Sequence, residues 1–471
     1  MQKILFSLLL LLSADVFSQN KVTIYGTIEK AGPESVTITN DKYFLGKKQE
    51  VHAAPVNDGK YSATFEIDHN RIVTLNYKDQ SLKLYVEPGD SISLFLQGNA
   101  VPQIAGKGAV HNQFLFKFEA SFKDDFNKTV MAGKITTNAV DAFEMMIFST
   151  RKKQQDFYNE YPEKKLFSPA FKNYVENAIK YNYWNYLLAY PIVNANNNKG
   201  LTVTPLPAVM LDGFNKSAAS NDSALICESY RNFLTYYVTY FTSEANDFNK
   251  FTDYSLSMQR KYYLANQHLK NESFRYFIAK YLFDECEKAS AETVKKIYNV
   301  LAWADNNGGY SKIVNEKCGA AMNAKEPAAA GSAVPALKMK DLKGKDRTFA
   351  DFKGKVLYVD FWASWCGPCR QQFPFAKELM TRLNEKQKKQ IEFLYISIDD
   401  TDELWKGGIA ANQLEGFQLH SPGGWKSEVV KYFKINSIPR YMLIDKKGNI
   451  VDPNAKRPSQ PEVLDEILKL L

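Results

Sequence analysis

The sequence predicts a multidomain protein: an N-terminal antiparallel β-sandwich over residues 19–110, a central all-α region over 111–325, and a C-terminal α/β domain over 328–471. Three observations carry this reading. Short alternating apolar runs fill the first part, aromatic residues recur at four-residue spacing in the middle, and strand-like runs alternate with helical ones at the end. A chain of 471 residues also exceeds what one hydrophobic core organises.

Ahead of the β region stands a leader. Lys3 is followed by apolar residues 4–12, and Val16-Phe17-Ser18 offers small residues for cleavage. This pattern predicts a signal peptide over 1–18, cleaved after Ser18, and hence a periplasmic protein. The apolar run is too short to span a membrane, and no later run reaches the required length, so the chain is expected not to be membrane-spanning. No cysteine stands at the cleavage point to accept a lipid.

In the β region, Val22-Thr23-Ile24-Tyr25, Val36-Thr37-Ile38, Tyr61-Ser62-Ala63-Thr64-Phe65, Leu82-Lys83-Leu84-Tyr85-Val86 and Ile92-Ser93-Leu94 read as strands. Ala31-Gly32-Pro33, Asn57-Asp58-Gly59 and Glu87-Pro88-Gly89-Asp90 are the turn signals between them. No catalytic constellation occurs here; His52 and His69 read as surface histidines. In the helical region, Phe114, Phe118 and Phe122 form an apolar stripe, continued by Phe143, Met146, Ile147 and Phe157. Such stripes fit core packing better than a ligand groove. Cys227, Cys286 and Cys318 lie in this region, and spacing leaves their pairing open.

A small-residue linker at 326–335 leads into the last domain. Lys343-Gly344-Lys345 turns a hairpin. Val356-Leu357-Tyr358-Val359 and residues 391–398 read as buried strands, and residues 416–420 as a short edge strand. Thr401 caps a helix containing Trp405, and residues 428–433 form another helix. Residues 441–445 and Ile450-Val451 pair across Lys447-Gly448-Asn449, and residues 461–471 close the domain as a helix.

Net charge is +8, from 60 basic and 52 acidic residues. The excess is dispersed. Its densest cluster, Lys386, Lys388 and Lys389, falls at a helix end, where cations are favoured. No basic stripe interleaves with stacking aromatics, so no nucleic acid partner is expected.

The chemistry concentrates at Phe361-Trp362-Ala363-Ser364-Trp365-Cys366-Gly367-Pro368-Cys369-Arg370. The pair of cysteines sits where a buried strand meets a helix with apolar positions in residues 371–380. A helix N-terminus presents free N–H groups and partial positive charge, which favour a thiolate at Cys366. Gly367-Pro368 keeps the turn tight, and Cys369 falls under the first helical turn. A zinc site needs two further Cys or His ligands, and none are suitably placed; no metal is expected. A structural staple has no use for the exposed aromatic flank. Redox chemistry of the dithiol is the reading that fits, with no cofactor beyond the cysteine pair.

Asp360-Phe361-Trp362-Ala363-Ser364-Trp365-Cys366-Gly367-Pro368-Cys369 resembles the active-site stretch of thioredoxins, and more specifically that of secreted TlpA-type thiol–disulfide oxidoreductases that carry an N-terminal β domain. The likeness runs from about residue 331 to 471 and implies a thioredoxin fold there. It implies that Asp360 is the carboxylate beneath the dithiol, positioned to relay a proton, and that Pro374 kinks the active-site helix. It also implies that Pro439, after Ile438, is the cis-proline facing the dithiol and pairing with the substrate strand. Arg440 stands where thioredoxin itself usually has threonine. Cys366 is then the attacking thiol and Cys369 the resolving one, while Trp365, Gly367, Pro368, Ile438 and Pro439 contact substrate. The implied partners are disulfide-bearing proteins and a membrane thiol–disulfide transporter as electron donor. Apocytochrome c cysteines, mispaired secreted proteins or a peroxidase all fit, and no residue chooses among them. The other open reading is a secreted binding or stress-response protein carrying a thioredoxin-like module.

Overall fold

A computed structural model describes residues 20–471 apart from 30, 33, 48, 98–101, 199, 217–218, 252, 324–329 and 436. The expected signal peptide over 1–18 and the first residues of the linker lie outside the described residues. The chain divides into two compact units. One takes the described residues up to Phe248 with Tyr263–Phe283 and Leu301–Ile313; the other takes Asn249–Tyr262, Asp284–Val300 and Val314–Leu471.

The first unit opens with eight strands: β1 (Lys21–Ile28), β2 (Val36–Asn40), β3 (Gln49–Ala54), β4 (Lys60–Glu66), β5 (Arg71–Tyr77), β6 (Gln80–Val86), β7 (Ser91–Leu96) and β8 (Gln103–Lys107). They form two four-stranded sheets, β4-β1-β7-β8 and β3-β2-β5-β6. The alternation works as expected in β4, which buries Tyr61, Ala63 and Phe65 and exposes the residues between. Ile24, Ala63 and Leu94 of one sheet and Ile38, Val73 and Leu84 of the other share one core cluster. Strands β3, β5 and β8 were not expected. In β5, Val73, Thr74 and Leu75 are all buried, so its sequence does not alternate. One pair departs from the antiparallel expectation: β1 and β7 run parallel, from Thr23 opposite Ser91 to Ile28 opposite Leu96. Gly26 marks their close approach, since a Cβ there would lie 1.8 Å from the Leu94 carbonyl oxygen.

Helices follow at Ala109–Phe122, Lys128–Thr137, Val140–Asn159, Pro169–Asn197 and Glu228–Glu244, then at Tyr254–His268, Asn271–Glu285, Ala291–Ala304 and Gly309–Asn323. The first of them closes the edge of β6. Buried Asn112 accepts the Tyr85 N–H and donates to the Tyr85 carbonyl, both at 2.8 Å, taking the place of a neighbouring strand. The aromatic stripe packs as core: Phe114 and Phe118 are buried, with ring centroids 5.3 Å apart, and the Phe122 ring lies tilted 4.9 Å from that of Phe118. Among the described residues no helix is long and apolar enough to cross a membrane.

The second unit holds β9 (Met339–Asp341), β10 (Asp346–Arg347), β11 (Val356–Trp362), β12 (Ile391–Ser397), β13 (Phe417–His420), β14 (Arg440–Ile444) and β15 (Ile450–Asp452). They make one mixed sheet in the order β10-β9-β13-β12-β11-β14-β15. Strand β11 is parallel to β12 and antiparallel to β14. Every residue of β11 is buried, as a central strand covered on both faces requires. Strand β13, expected at an edge, is interior: the β9–β10 hairpin adds itself beyond it, with Leu419 opposite Asp341.

The open cysteine question is resolved here. Cys286 and Cys318 form a disulfide, and Cys227 is free and buried. Burial pushes the Cys227 thiol up to about 12, so it is inert at neutral pH. The disulfide spans 32 residues of chain. Replacing both partners by serine should destabilise these helices by about 3–4 kcal/mol through the freer unfolded chain. An earlier urea transition for Asp284–Val300 and Val314–Leu471, read by hydrogen exchange, checks this; an unchanged midpoint would contradict it.

Candidate active site

Strand β11 delivers the site. By the period of two, Tyr358, Asp360 and Trp362 share one face. The helix Gly367–Thr381 covers that face: its Phe373 meets Trp362 at 5.5 Å and Tyr395 at 6.1 Å between ring centroids. Ala363, Ser364 and Trp365 connect strand to helix. The Cys366 N–H closes a turn on the Ala363 carbonyl at 3.0 Å.

Cys366 is the helix N-cap, and its sulfur accepts the Cys369 N–H at 3.1 Å. Pro368 stands in the first turn, where a missing N–H leaves no bond unmade. Pro374 lies inside the same helix. Cys366 and Cys369 are bonded to each other with Cα atoms 5.3 Å apart, so the site is in its oxidised form. Cys369 is fully enclosed and Cys366 is 4% exposed. Gly367 and Pro368 are half-buried beside it.

Strand β14 brings the remaining expected residues to the same end of the sheet. Arg440 lies opposite Phe361, so Pro439 stands beside the end of β11 from which the dithiol loop departs. The Ile438–Pro439 peptide is cis, and both residues are buried. Trp365, in contrast, is 48% exposed.

Asp360 is buried on the helix-covered face, flanked in register by Tyr395 on β12 and Tyr441 on β14. Burial pushes its carboxyl up to about 8, and nearby Tyr441 opposes part of that rise. Neither carboxylate oxygen is in hydrogen-bonding geometry with a partner, and the same holds for the Tyr441 hydroxyl, so desolvation dominates.

Two residues at this end escaped the sequence reading. Asp399 is fully buried and holds the dithiol loop. Its carboxylate accepts the Ser364 N–H at 3.0 Å, the Ser364 hydroxyl at 2.7 Å and the Ser397 hydroxyl at 2.8 Å. The His420 ring, stacked on Trp405, bonds the Asp399 carbonyl at 2.9 Å. The other is Trp425, 47% exposed, whose ring lies 5.9 Å from that of Trp365. Asp399 follows a legible strand, but nothing in the sequence says that its carboxylate turns toward Ser364. Trp425 follows two glycines that read only as a turn.

A dithiol at a helix start, with a buried acid on the strand face that the helix covers, is the equipment of thiol–disulfide exchange. A family model described as thioredoxin-like matches residues 354–450. The chain is similar to the thiol-disulfide oxidoreductase ResA of Bacillus thuringiensis, 32% identical over 139 residues that cover 30% of this chain and 76% of that protein. It is 24% identical to ResA of Bacillus subtilis over 130 residues, 27% of this chain and 68% of the relative. The crystal structure of the thioredoxin domain of a Bacteroides vulgatus thiol-disulfide oxidoreductase matches with 28% identity and a TM-score of 0.27, covering 30% of this chain and 96% of that one. The chain belongs, through its last third, to the thiol–disulfide oxidoreductases of the thioredoxin superfamily.

The raised carboxyl makes a stability prediction. An unfolded Asp360 ionises near pH 4, while the folded one keeps its proton to about 8. Stability is therefore whole below pH 4 and is lost as pH rises toward 8, by an amount on the order of 6 kcal/mol at most. Asp360→Asn should remove that loss, so the variant's advantage over wild type should grow from pH 4 to about pH 8 in urea titrations and level off above it. A constant difference would contradict the assignment.

Proposed function

We propose that this protein is a periplasmic reductase of protein disulfides acting through its Cys-Gly-Pro-Cys dithiol. The observation that carries the reading is the cysteine pair at the start of Gly367–Thr381, with Cys366 as N-cap and Cys369 enclosed. In the reduced enzyme, Cys366 as thiolate attacks one sulfur of a substrate disulfide. A mixed disulfide forms, and the other substrate sulfur leaves as a thiolate that takes up a proton. Asp360 in its ionised form, which a carboxyl near 8 supplies in part at neutral pH, then takes the Cys369 proton, and the Cys369 thiolate attacks the Cys366 sulfur. The Cys366–Cys369 bond closes and the second substrate thiol departs, two electrons having passed to the substrate. An acid with a carboxyl near 8 suits that proton transfer, since its pKa lies close to that of a thiol.

The Gly-Pro dipeptide is the one thioredoxin uses, and thioredoxin's potential of about −270 mV favours reduction. The oxidised pair then needs recharging, for which an inner-membrane thiol–disulfide transporter is the proposed donor; no cofactor besides the cysteines is proposed. The leader at 1–18 supports export. Trp365, Gly367, Pro368 and the Ile438-Pro439 backbone are proposed to receive the substrate strand. The β region at 19–110, its two sheets packed as a sandwich, and the helical region at 111–325 are proposed to serve recognition or anchoring ahead of the domain at 328–471. Substrates that fit include an apocytochrome c, a mispaired exported protein or a peroxidase.

Single-cysteine variants test the assignment. Cys369→Ser should accumulate a mixed disulfide with a substrate protein, visible on a non-reducing gel and reversed by dithiothreitol. Cys366→Ser should accumulate at least tenfold less. Trapping by Cys366→Ser instead would reverse the roles, and full reductase activity in the double variant would remove the dithiol from the mechanism.

A further inference from the structure

Four tryptophans sit at the active-site end of the second unit or just behind it, and they divide sharply. Trp362 and Trp405 are fully buried, whereas Trp365 and Trp425 are each exposed over nearly half their surface. Leaving two indoles in water forfeits the burial that the other two obtain, and paired exposed tryptophans beside a reactive group are a feature of contact surfaces.

The pair is held in place by the backbone. Trp425 lies on the turn Gly424–Lys426, which leaves β13 through Gly423 and Gly424, both with left-handed φ of 104° and 57°. A Cβ on Gly424 would come 2.8 Å from an Asp400 carboxylate oxygen, so the turn packs tightly there. Ser421 donates its N–H to the Ser397 carbonyl at 2.9 Å, and His420 fixes the Asp399 carbonyl. Asp399 in turn holds Ser364, the residue before Trp365. One buried hydrogen-bonded hub therefore anchors the two segments that carry the indoles.

Resting on the exchange activity proposed above, we propose that Trp425 determines specificity: with Trp365 it forms an apolar ledge that receives an aromatic or aliphatic side chain flanking the half-cystine of a polypeptide substrate. The occupant follows from position. Cys366 is 4% exposed, so an incoming disulfide reaches it only with its flanking residues laid against Trp365, and Trp425 extends that surface. The exposed Lys426 that follows Trp425 disfavours a basic residue on the ledge and leaves an apolar one unopposed.

Three synthetic peptides with one intramolecular disulfide, differing only in a Phe, Ser or Lys beside the half-cystine, test this in the full-length reduced protein. Wild type should reduce the Phe peptide with a kcat/KM about tenfold above the Ser peptide, mainly through KM. Trp425→Ser should bring that ratio to within twofold of one, and Trp425→Phe should keep most of it. The ratio is taken on a single preparation, so a partly misfolded fraction cancels. The same Phe-to-Ser ratio in Trp425→Ser as in wild type, a wild-type ratio near one, or a preference for the Lys peptide would each overturn the proposal. Failure of wild type to reduce any of the three would instead overturn the exchange reading beneath it.

Discussion

Strand β11 is buried along all seven of its residues and leads through residues 363–366 into a helix. The dithiol depends on that junction. A strand clamped between β12 on one side and β14 on the other cannot slide without turning its side chains to the wrong face. It therefore fixes the start of the helix, and with it the Cys369 N–H that bonds the Cys366 sulfur. The same register places Pro439 beside the loop and Asp360 under the helix.

Two buried aspartates flank this junction in opposite circumstances. Asp399 accepts hydrogen bonds from Ser364 and Ser397 and serves as an anchor for the loop. Asp360 has apolar and tyrosine neighbours and no hydrogen-bond partner, so its carboxyl is pushed up to about 8. Such an unpartnered buried acid costs stability, and groups shifted this strongly gather at functional sites. The residue type is the same in both; the surroundings decide between a fixed acceptor and a titrating acid.

The sequence makes some of this legible. Val356-Leu357-Tyr358-Val359 reads as a buried strand because nothing polar interrupts it, and the cysteine spacing after it has few other uses. The turn at Lys343-Gly344-Lys345 and the cap at Thr401 are local signals, and the structure contains both, the second as a Thr401 side chain accepting the Leu404 N–H. What stays hidden depends on long-range pairing. Strand β5 is buried on both faces and loses its alternation, and β13 looks like an edge until the hairpin beyond it is known. The parallel pairing of β1 with β7 joins segments some seventy residues apart, which no local pattern encodes. The partnership of Cys286 with Cys318 and the meeting of Trp425 with Trp365 are of the same kind.

Selective alkylation tests the central claim, that the helix start makes Cys366 the attacking thiol. The reduced protein is treated briefly with iodoacetamide across pH 5 to 9, and the labelled cysteine is located by mass spectrometry. The account expects Cys366 to be modified first, with labelling already well advanced below the pH of about 8.5 at which an ordinary thiol ionises. Preferential modification of Cys369, or a Cys366 rate that rises only around pH 8.5, would contradict it.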